Sequence, residues 1–415
     1  MLESLKKQDP QLWESISKEL KRQQEGLEMI PSENIVSLPV LEAMGSVLTN
    51  KYSEGYPKKR YYGGNEFIDE VEQLAIDRAK VLFGAEHVNV QPLSGSPANQ
   101  AVYHAFLELN DKLMGLQLDH GGHLTHGHPV NFSGKHYNCV QYQLGKDCLL
   151  DYDAIEKMAK VEKPKMIQSG YTAYPRQIDF KRFREICDTV GAYFFVDMSH
   201  FAGLVAGDAH PSPIPFADVV MTTTHKTLRG PRGAMIMCKE EFAEKVDKAI
   251  FPGLQGGPHN HTNAGKAVAF AEALKPEFKE YAGQVVKNAR ELARVMAEGG
   301  LNIVSGGTDT HLALVDLTDK KITGKEAEGA LDEAGIYVNK NTVPFDHRKP
   351  WDPSGIRLGT PVLTSRGMKE QDMVTVGGLI LQAIEHHDTT DVKAKVRKEV
   401  MELCSEFPIY SELNT

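Results

Sequence analysis

Apolar runs of strand length alternate with amphipathic stretches through the middle of this chain. The apolar runs lie at 165–167, 193–196, 219–222 and 234–238, and the helical patterns lie at 152–160, 180–190 and 240–249. Alternation of this kind is typical of a mostly parallel sheet with covering helices. The pattern therefore predicts an α/β fold for this part of the chain.

Further amphipathic helices are predicted toward both ends of the chain. One covers 9–26, with Asp9 as N-cap and Pro10 in the first turn. The others cover 66–84 and roughly 277–299, and strands at 301–304 and 311–316 follow the last of them. Because the composition changes near Lys275, we expect a second domain from residue 276 to the end.

Composition and charge limit the class of protein. With 415 residues, 41% hydrophobic and 25% charged, the chain is long enough for two globular domains. A formal charge of -9 argues against nucleic acid or an anionic membrane as the main partner. No signal-type or membrane-length apolar run occurs, so we expect a cytoplasmic protein. Five scattered cysteines without a CxxC pair suggest reduced thiols.

Candidate chemistry centres on Lys226. An apolar run from Ala217 to Met221 leads to this lysine and then to a Gly/Pro-rich turn. Partial desolvation there would lower the lysine pKa and allow a Schiff base, although a solvated lysine past a strand end fits the same pattern. Asp197 ends another apolar run, either as a cap or as the carboxylate that holds a pyridinium nitrogen. Together the two residues suggest a pyridoxal phosphate site.

Around these two residues the chain resembles the serine hydroxymethyltransferase family. The resemblance is carried by TTTHKTLRGPRG and VDMSHFAGLVA, and by MIPSENIVS, NKYSEGYPKKRYYGG, QPLSGSPAN, HGGHLTHG, FPGLQGGPHNH, VNKNTVP and SGIRLGT in the same order. It implies an aspartate-aminotransferase-like fold (fold type I) with a mostly parallel seven-stranded sheet. The implied divisions are an N-terminal, dimer-contacting arm at 1–80, a large cofactor domain at 81–275 and a smaller α/β domain at 276–415.

The loop at 31–64 is rich in tyrosine and glycine, which suits a polar pocket lining, although turn residues are an alternative for each tyrosine. The resemblance implies that Glu54 and Tyr62 handle protons at the serine hydroxyl and that Ser32 helps hold the substrate. It also implies that Tyr52 reaches the cofactor phosphate of a neighbouring subunit. Pro31 replaces the alanine that is common in the family.

Small residues at a helix start predict an anion site. Ser94, Gly95 and Ser96 precede an Ala/Val-rich helix led by Asn99, where free amides and the helix dipole favour a phosphate. Serine and glycine are also common simple caps, but here they resemble the phosphate cup of the family. Gly257 lies in a tight turn that suits close approach to a phosphate, across the dimer interface by the resemblance.

Six histidines occur in two groups, at positions 120, 123, 126, 128, 259 and 261. Clustered histidines can bind zinc, but no cysteine or carboxylate completes an obvious ligand set, so packing is preferred and no metal is expected. The resemblance implies that His123 stacks on the pyridine ring. It places Leu118, Gly121, Gly122 and Leu124 against a folate.

Arg357 stands in an apolar strand, where an arginine needs an anionic partner: either a substrate carboxylate or a structural ion pair. The resemblance favours the substrate. It also assigns cofactor contacts to Thr172, usually serine, and to His225, a catalytic role to Thr223, and catalytic, cofactor and substrate contacts to His200. Tyr61 and Asn341 are matched to folate contacts. Trp351 and Pro353 depart from the family pattern nearby.

The resemblance implies reversible transfer of the serine hydroxymethyl carbon to tetrahydrofolate, with glycine and 5,10-methylenetetrahydrofolate as products. Pyridoxal 5'-phosphate would be covalent on Lys226, and the chain would be a homodimer with active sites shared across the interface. Three alternatives stay open. They are a folate-independent threonine or β-hydroxyamino-acid aldolase or transaldolase, a variant that uses another pterin or α-methylserine, and a non-catalytic cofactor-binding or RNA-recognising regulator.

Overall fold

The computed structural model describes residues 3–413. The helices are α1 Glu3–Gln8, α2 Pro10–Glu25, α3 Leu38–Met44, α4 Glu66–Phe83, α5 Gly95–Phe106, α6 Phe132–His136, α7 Tyr152–Glu162, α8 Phe180–Val190, α9 Ala202–Ala206, α10 Ala243–Lys248, α11 Asn260–Ala273, α12 Pro276–Glu298, α13 Gly324–Glu333, α14 Pro361–Ser365, α15 Glu370–Glu385 and α16 Thr390–Glu406. The strands are β1 Leu27–Glu28, β2 Gly55–Tyr56, β3 Lys59–Arg60, β4 His87–Asn89, β5 Lys112–Leu116, β6 Asn138–Tyr142, β7 Met166–Ser169, β8 Tyr193–Asp197, β9 Val219–Thr223, β10 Ala234–Cys238, β11 Asn302–Ile303, β12 Leu312–Asp316, β13 Ile336–Tyr337, β14 Asn339–Asn341 and β15 Gly355–Gly359.

A seven-stranded sheet forms the centre of the larger unit, in the order β4-β10-β9-β8-β7-β5-β6. Strands β9, β8, β7, β5 and β6 pair in parallel, whereas β10 is antiparallel to both of its neighbours. The predicted α/β fold with a mostly parallel seven-stranded sheet is therefore confirmed. Every residue of β9 and β10 is buried, as expected for strands that helices cover on both faces.

Helix α8 illustrates how the sequence specifies the covering helices. The Asp179 side chain accepts a hydrogen bond from the Arg182 amide over 2.9 Å, which satisfies an otherwise unpaired amide of the first turn. Apolar residues on one face, Phe183 and Ile186 among them, are buried against the sheet. The helix ends at Gly191, whose φ of 67° is easily adopted by glycine.

A four-stranded antiparallel sheet, in the order β11-β12-β15-β14, forms the smaller unit. Its core also contains Leu27 and Met29 from the N-terminal segment, because β1 pairs with β13. Helix α12 joins the two cores: Val285 packs in the larger one and Leu292 in the smaller. The predicted division after residue 275 falls immediately before this shared helix and stays a proposal.

Several predicted boundaries differ from the structure. Strand β9 begins at Val219, as the run at 219–222 predicted, and not at Ala217, because Asp218 forms a bend whose side chain accepts from the Phe194 amide. The helix predicted at 240–249 is divided into a 3-10 turn at 240–242 and α10, followed by a wide turn that contains Pro252. Helix α5 begins at Gly95, one turn before Asn99.

The N-terminal arm α2 starts as predicted, since the Asp9 side chain accepts from the Leu12 amide over 3.0 Å. Its C-terminal end is held on its own chain by Arg366, which donates to carbonyls of Gln23 and Gln24. The apolar stripe stays uncovered, with Leu12 48% and Ile16 38% exposed. The dimer contact predicted for the N-terminal arm at 1–80 stays a prediction.

Helices long and apolar enough to cross a bilayer do not occur within residues 3–413.

Candidate functional site

A cavity of about 290 Å³ lies where β8 and β9 end and α5 begins. It brings together eleven residues singled out in the sequence: Ser32, Ser94, Gly95, Ser96, His123, Thr172, Asp197, His200, Thr223, His225 and Lys226. It is also lined by six residues that the sequence reasoning did not select: Asn99, His126, Tyr171, Ser199, Met221 and Arg232. The cavity lies at the carboxyl ends of parallel strands, where open α/β sheets bind ligands.

Lys226 follows β9 and faces the cavity. Burial lowers its pKa to about 8; Asp197 opposes this shift, and the cations Arg357 and Arg232 add to it. Its backbone is also held, because the Asn34 side-chain amide donates to the Lys226 carbonyl over 2.9 Å. The site therefore offers a positioned amine that is partly unprotonated near neutral pH.

Asp197 is the last residue of β8 and is buried. Burial favours the neutral acid, but hydrogen bonds from His126 and Asn99 to its Oδ2, at 3.2 and 3.0 Å, hold the pKa of Asp197 below its usual value. The backbone amide of Ser199 donates to the other carboxylate oxygen. The carboxylate thus stays charged in the cavity and can stabilise a cationic ring nitrogen.

The His123 imidazole is neutral and fixed in one orientation. Burial, together with the neighbouring His126, lowers its pKa to about 4. The Thr125 amide donates to His123 Nδ1 over 3.2 Å, so Nδ1 is an acceptor and the ring proton lies on Nε2. The Thr125 hydroxyl lies 2.8 Å from the same Nδ1 and accepts from Asn99, which links the histidine to the Asp197 partners. A flat, uncharged ring results, suitable for stacking.

The start of α5 leaves donors free for an anion. Ser94 is the N-cap residue, yet its side chain makes no bond to the helix backbone. A Cβ at Gly95 would lie 2.8 Å from Thr223 Cγ2, so a larger residue here would force Thr223 to move. Arg232 and His225 lie in the same cavity; burial and the nearby Lys226 lower the pKa of His225 to about 3. Free amides, the helix dipole and a guanidinium all favour a phosphate.

Arg357 lies on β15 and is buried, and two hydrogen bonds hold its guanidinium group. Its Nη1 donates to the Thr172 carbonyl over 2.6 Å and its Nε to Asn339 Oδ1 over 3.1 Å. Burial lowers the pKa of Arg357 to about 10, and within residues 3–413 no carboxylate pairs with the guanidinium. Because a buried cation without a counterion is costly, the arrangement favours an anionic ligand.

A second group of predicted residues lies outside this cavity. Tyr52 donates to Glu54 over 3.1 Å, and its ring packs beside Gly257, where a Cβ would come within 3.3 Å. Tyr62 lies edge-on to Tyr52, and Tyr61 is 74% exposed. We call these five residues the Glu54 cluster. In a single chain the structure does not bring the cluster to Lys226.

The residues matched to folate contacts also lie outside the cavity. The Gly121 carbonyl accepts from the Thr172 amide over 2.8 Å, so this loop borders the cavity wall. Gly122 donates to the Gln117 carbonyl, next to Leu118, and Leu124 is 42% exposed. Asn341 is half-buried on β14, and its side chain donates to the Thr342 carbonyl.

The clustered histidines have separate partners. His120 accepts from the Leu144 amide, His126 contacts Asp197, and His128 accepts from the Val130 amide. Across the described residues, 3–413, no group of three or more histidine, cysteine or carboxylate side chains could hold a metal ion. The preference for packing overlooked His126, which orients Asp197. Its spacing of three residues from His123 was the available signal.

The comparisons with known proteins agree with this geometry. The family model described as serine hydroxymethyltransferase matches residues 5–380. A protein of Koribacter versatilis named serine hydroxymethyltransferase is 59% identical over 413 residues, covering 99% of this chain and 97% of its own length. One of Desulfotalea psychrophila with the same name is 58% identical over 405 residues, covering 98% and 95%. On this evidence, the chain belongs to the serine hydroxymethyltransferase family.

Proposed function

We propose that this chain reversibly transfers the hydroxymethyl carbon of serine to tetrahydrofolate, giving glycine and 5,10-methylenetetrahydrofolate. The observation that carries the proposal is the pairing of Lys226, whose pKa is lowered to about 8, with the charged Asp197 in one cavity. A nucleophilic amine and a carboxylate are the two groups that a pyridoxal phosphate enzyme needs to hold and activate its cofactor.

The cavity fits pyridoxal 5'-phosphate. Lys226 would hold it covalently, Asp197 would bind the ring nitrogen, and the free donors of Ser94 and Ser96 at the start of α5 would bind the phosphate. The neutral imidazole of His123 would cover the ring. When bound, this cofactor acts as an electron sink for the bond broken at the amino acid Cα.

Arg357 would bind the substrate carboxylate. Two contacts, to Thr172 and Asn339, hold the guanidinium and leave its Nη2 without a partner among the described residues. A bidentate contact would therefore fix the amino acid relative to Lys226. Ser32 and His200, which line the Lys226 cavity, would supply further hydrogen bonds to the substrate, and Thr172, Thr223 and His225 would line the cofactor.

A homodimer would complete the site. The Glu54 cluster lies outside the chain's own cavity, with Tyr52 54% and Tyr62 48% exposed. We infer that Glu54 of the partner subunit takes and returns the proton of the serine hydroxyl, assisted by Tyr62. Tyr52 and Gly257 would approach the cofactor phosphate across the interface. The exposed stripe of α2 would also be covered there.

Tetrahydrofolate would bind at the mouth of the cavity. Leu118 and Leu124 offer apolar contacts, the backbone of Gly121 and Gly122 offers close approach, and Asn341 offers an amide. Glu54 and Tyr61 would contact the pterin from the other subunit. Trp351, in the segment that departs from the family pattern, is 67% exposed.

The proposal is tested by comparing wild type with Arg357→Lys. Replacing the guanidinium fork with a point charge should raise the KM for serine roughly ten- to hundredfold, because a charge-assisted contact contributes about 1.5–3 kcal/mol. Serine cleavage is measured with and without tetrahydrofolate. Cleavage that is indifferent to tetrahydrofolate would contradict the proposal and favour an aldolase, and an equal KM in both proteins would contradict the role of Arg357.

A further inference from the structure

Two buried histidines from different units of the fold meet beside the Lys226 cavity. His200 follows β8 and lines the cavity, whereas His311 immediately precedes β12 of the four-stranded sheet. His200 Nδ1 and His311 Nε2 are 3.2 Å apart, and the ring planes differ by 30°. The side chains are 3% and 1% exposed. The sequence reasoning did not select His311.

Both rings are held neutral. Burial, together with Lys226 and Arg357, brings the pKa of His200 well below its usual value, and burial with the same two cations does so for His311. A neutral imidazole has one donor nitrogen and one acceptor nitrogen. One proton therefore lies between His200 Nδ1 and His311 Nε2, and it is bonded either to His200 or to His311.

The surroundings of His311 decide which ring carries it. Within residues 3–413, His311 Nδ1 is buried and has no hydrogen-bond partner. A buried N–H without an acceptor is rarer and more costly than a lone pair without a donor, so the His311 proton belongs on Nε2. His311 then donates to His200 Nδ1, and the proton of His200 must lie on Nε2.

His311 is also held firmly. Its backbone carbonyl accepts from the Thr360 amide over 3.0 Å, which fixes the residue between β12 and α14. Among the described residues, His200 Nε2 has no partner, and His200 lines the cavity. The opposite tautomer would present a lone pair to any anion bound there, which would be repulsive.

We propose that His311 is a positioning residue that fixes His200 in the tautomer whose Nε2–H donates to an anionic oxygen in the cavity. That oxygen belongs either to the amino acid carboxylate or to the phenolic oxygen of the cofactor. The inference rests on the proposed function for the identity of the anion, whereas the tautomer itself depends only on this chain.

The tautomer is measured directly by nitrogen NMR of ¹⁵N-histidine-labelled holoenzyme, with His200→Asn used to assign the signals. Protonated and unprotonated ring nitrogens resonate in separate ranges. We expect His200 to be unprotonated at Nδ1 and protonated at Nε2 in the wild type. A protonated Nδ1 would overturn the proposal, and this result needs no variant of His311 to fold and no substrate.

Two substitutions of His311 test whether its hydrogen bond to His200 supports binding of the anion. In His311→Gln the amide NH₂ can occupy the position of Nε2 and still donate, whereas His311→Leu removes the donor at similar volume. Glycine binding, followed by the visible absorption of the bound cofactor, should weaken roughly ten- to hundredfold in His311→Leu and stay near wild type in His311→Gln. Circular dichroism and thermal melting check that both variants are folded.

The same variants distinguish the two anions. If the anion is the amino acid carboxylate, His311→Leu changes only glycine affinity. If it is the phenolic oxygen, the pH midpoint of cofactor absorption without glycine also shifts in His311→Leu. Unchanged affinity and unchanged midpoint in a folded His311→Leu would overturn the proposal. Absence of any response to glycine in the wild type would instead contradict the proposed function, and the NMR result would still decide the tautomer.

Discussion

At the residue scale, burial favours the neutral form of Lys226, whereas hydrogen-bond donors keep the buried Asp197 charged. Lys226 is mainly desolvated, so its pKa is lowered to about 8 and its neutral form becomes accessible. Asp197 is also buried, but two donors hold its pKa below the usual value. One cavity therefore contains a partly neutral amine and a permanent carboxylate, the states required for covalent cofactor binding.

The lowered lysine pKa predicts the pH dependence of cofactor attachment. The neutral amine is the nucleophile, so the rate at which cofactor-free protein binds pyridoxal phosphate covalently should rise through about pH 8 and level off above it. Stopped-flow absorption at a series of pH values measures this rate. Lys226→Arg, which keeps the charge without a usable amine, should not react. A midpoint near the usual value for lysine would contradict the desolvated environment.

Residue patterns in the sequence selected the candidate reactive residues of the site, but they did not reveal the residues that support them. Asp197 ends one apolar strand and Lys226 lies three residues after another, and the two local signals together, rather than either one alone, selected these residues. Asn99 and His126 contact Asp197 from segments 98 and 71 positions away. No local pattern encodes those contacts, because they depend on how α5 and the loop after β5 pack onto β8.

At the element scale, the residues at the start of α5 bond their own helix less than those of α2 and α8 do, and they face the cavity instead. Ser94 has the N-cap position but leaves its hydroxyl unused, and Gly95 permits close contact with Thr223. In α2 and α8, by contrast, the N-cap side chains accept from their own helices. An N-cap residue that does not bond its helix is available to a ligand.

Replacing both serines should therefore weaken phosphate binding specifically. In the double variant Ser94→Ala and Ser96→Ala, we expect the Kd for pyridoxal phosphate to rise about a hundredfold or more, since each of the two lost hydrogen bonds to a charged group contributes about 1.5 kcal/mol or more. Equilibrium titration by absorption measures the change. Pyridoxal, which lacks the phosphate, is the matched ligand control. Equal losses for both ligands would indicate damage to the fold instead.

Element types followed from periodicity, whereas element ends did not. Strands β7, β8, β9 and β10 of the central sheet, and helices α7 and α8, were predicted from alternating apolar runs, whereas β5 and β6 were not. Of the two starts predicted for β9, Ala217 was wrong, because Asp218 forms a bend whose side chain accepts from the Phe194 amide and forms ion pairs with Arg184 and Lys239. Such contacts join residues far apart in sequence, so a window of neighbouring residues does not contain them.

At the scale of the whole molecule, the Glu54 cluster and the Lys226 cavity occupy separate regions of one chain. In a dimer with a twofold axis, each region can meet its complement on the other copy. Such a dimer would explain why exposed tyrosines and a carboxylate lie together without filling a site of their own chain. It also makes the proposed sharing of active sites testable.

Mixing two inactive variants tests whether each active site is shared between two subunits. Lys226→Ala and Glu54→Gln should each be nearly inactive alone, because each lacks one essential group. After unfolding and refolding together, random pairing should restore about a quarter of wild-type activity, since half the dimers would contain one intact site of two. The recovery is measured by comparing the activity of the refolded mixture with the activities of the two separate variants. If both groups acted within one chain, mixing would restore nothing.

The sequence by itself determined the α/β class, four strands of the central sheet with helices α7 and α8, and the Lys226–Asp197 pair, because these depend on local periodicity and on residues near strand ends. It also carried the resemblance that is confirmed by a family match over residues 5–380. The folded chain decided which donors hold Asp197, that His200 meets His311, and that the Glu54 cluster lies apart from the cavity. Those outcomes depend on packing between distant segments, and packing is set by the whole chain rather than by any one stretch.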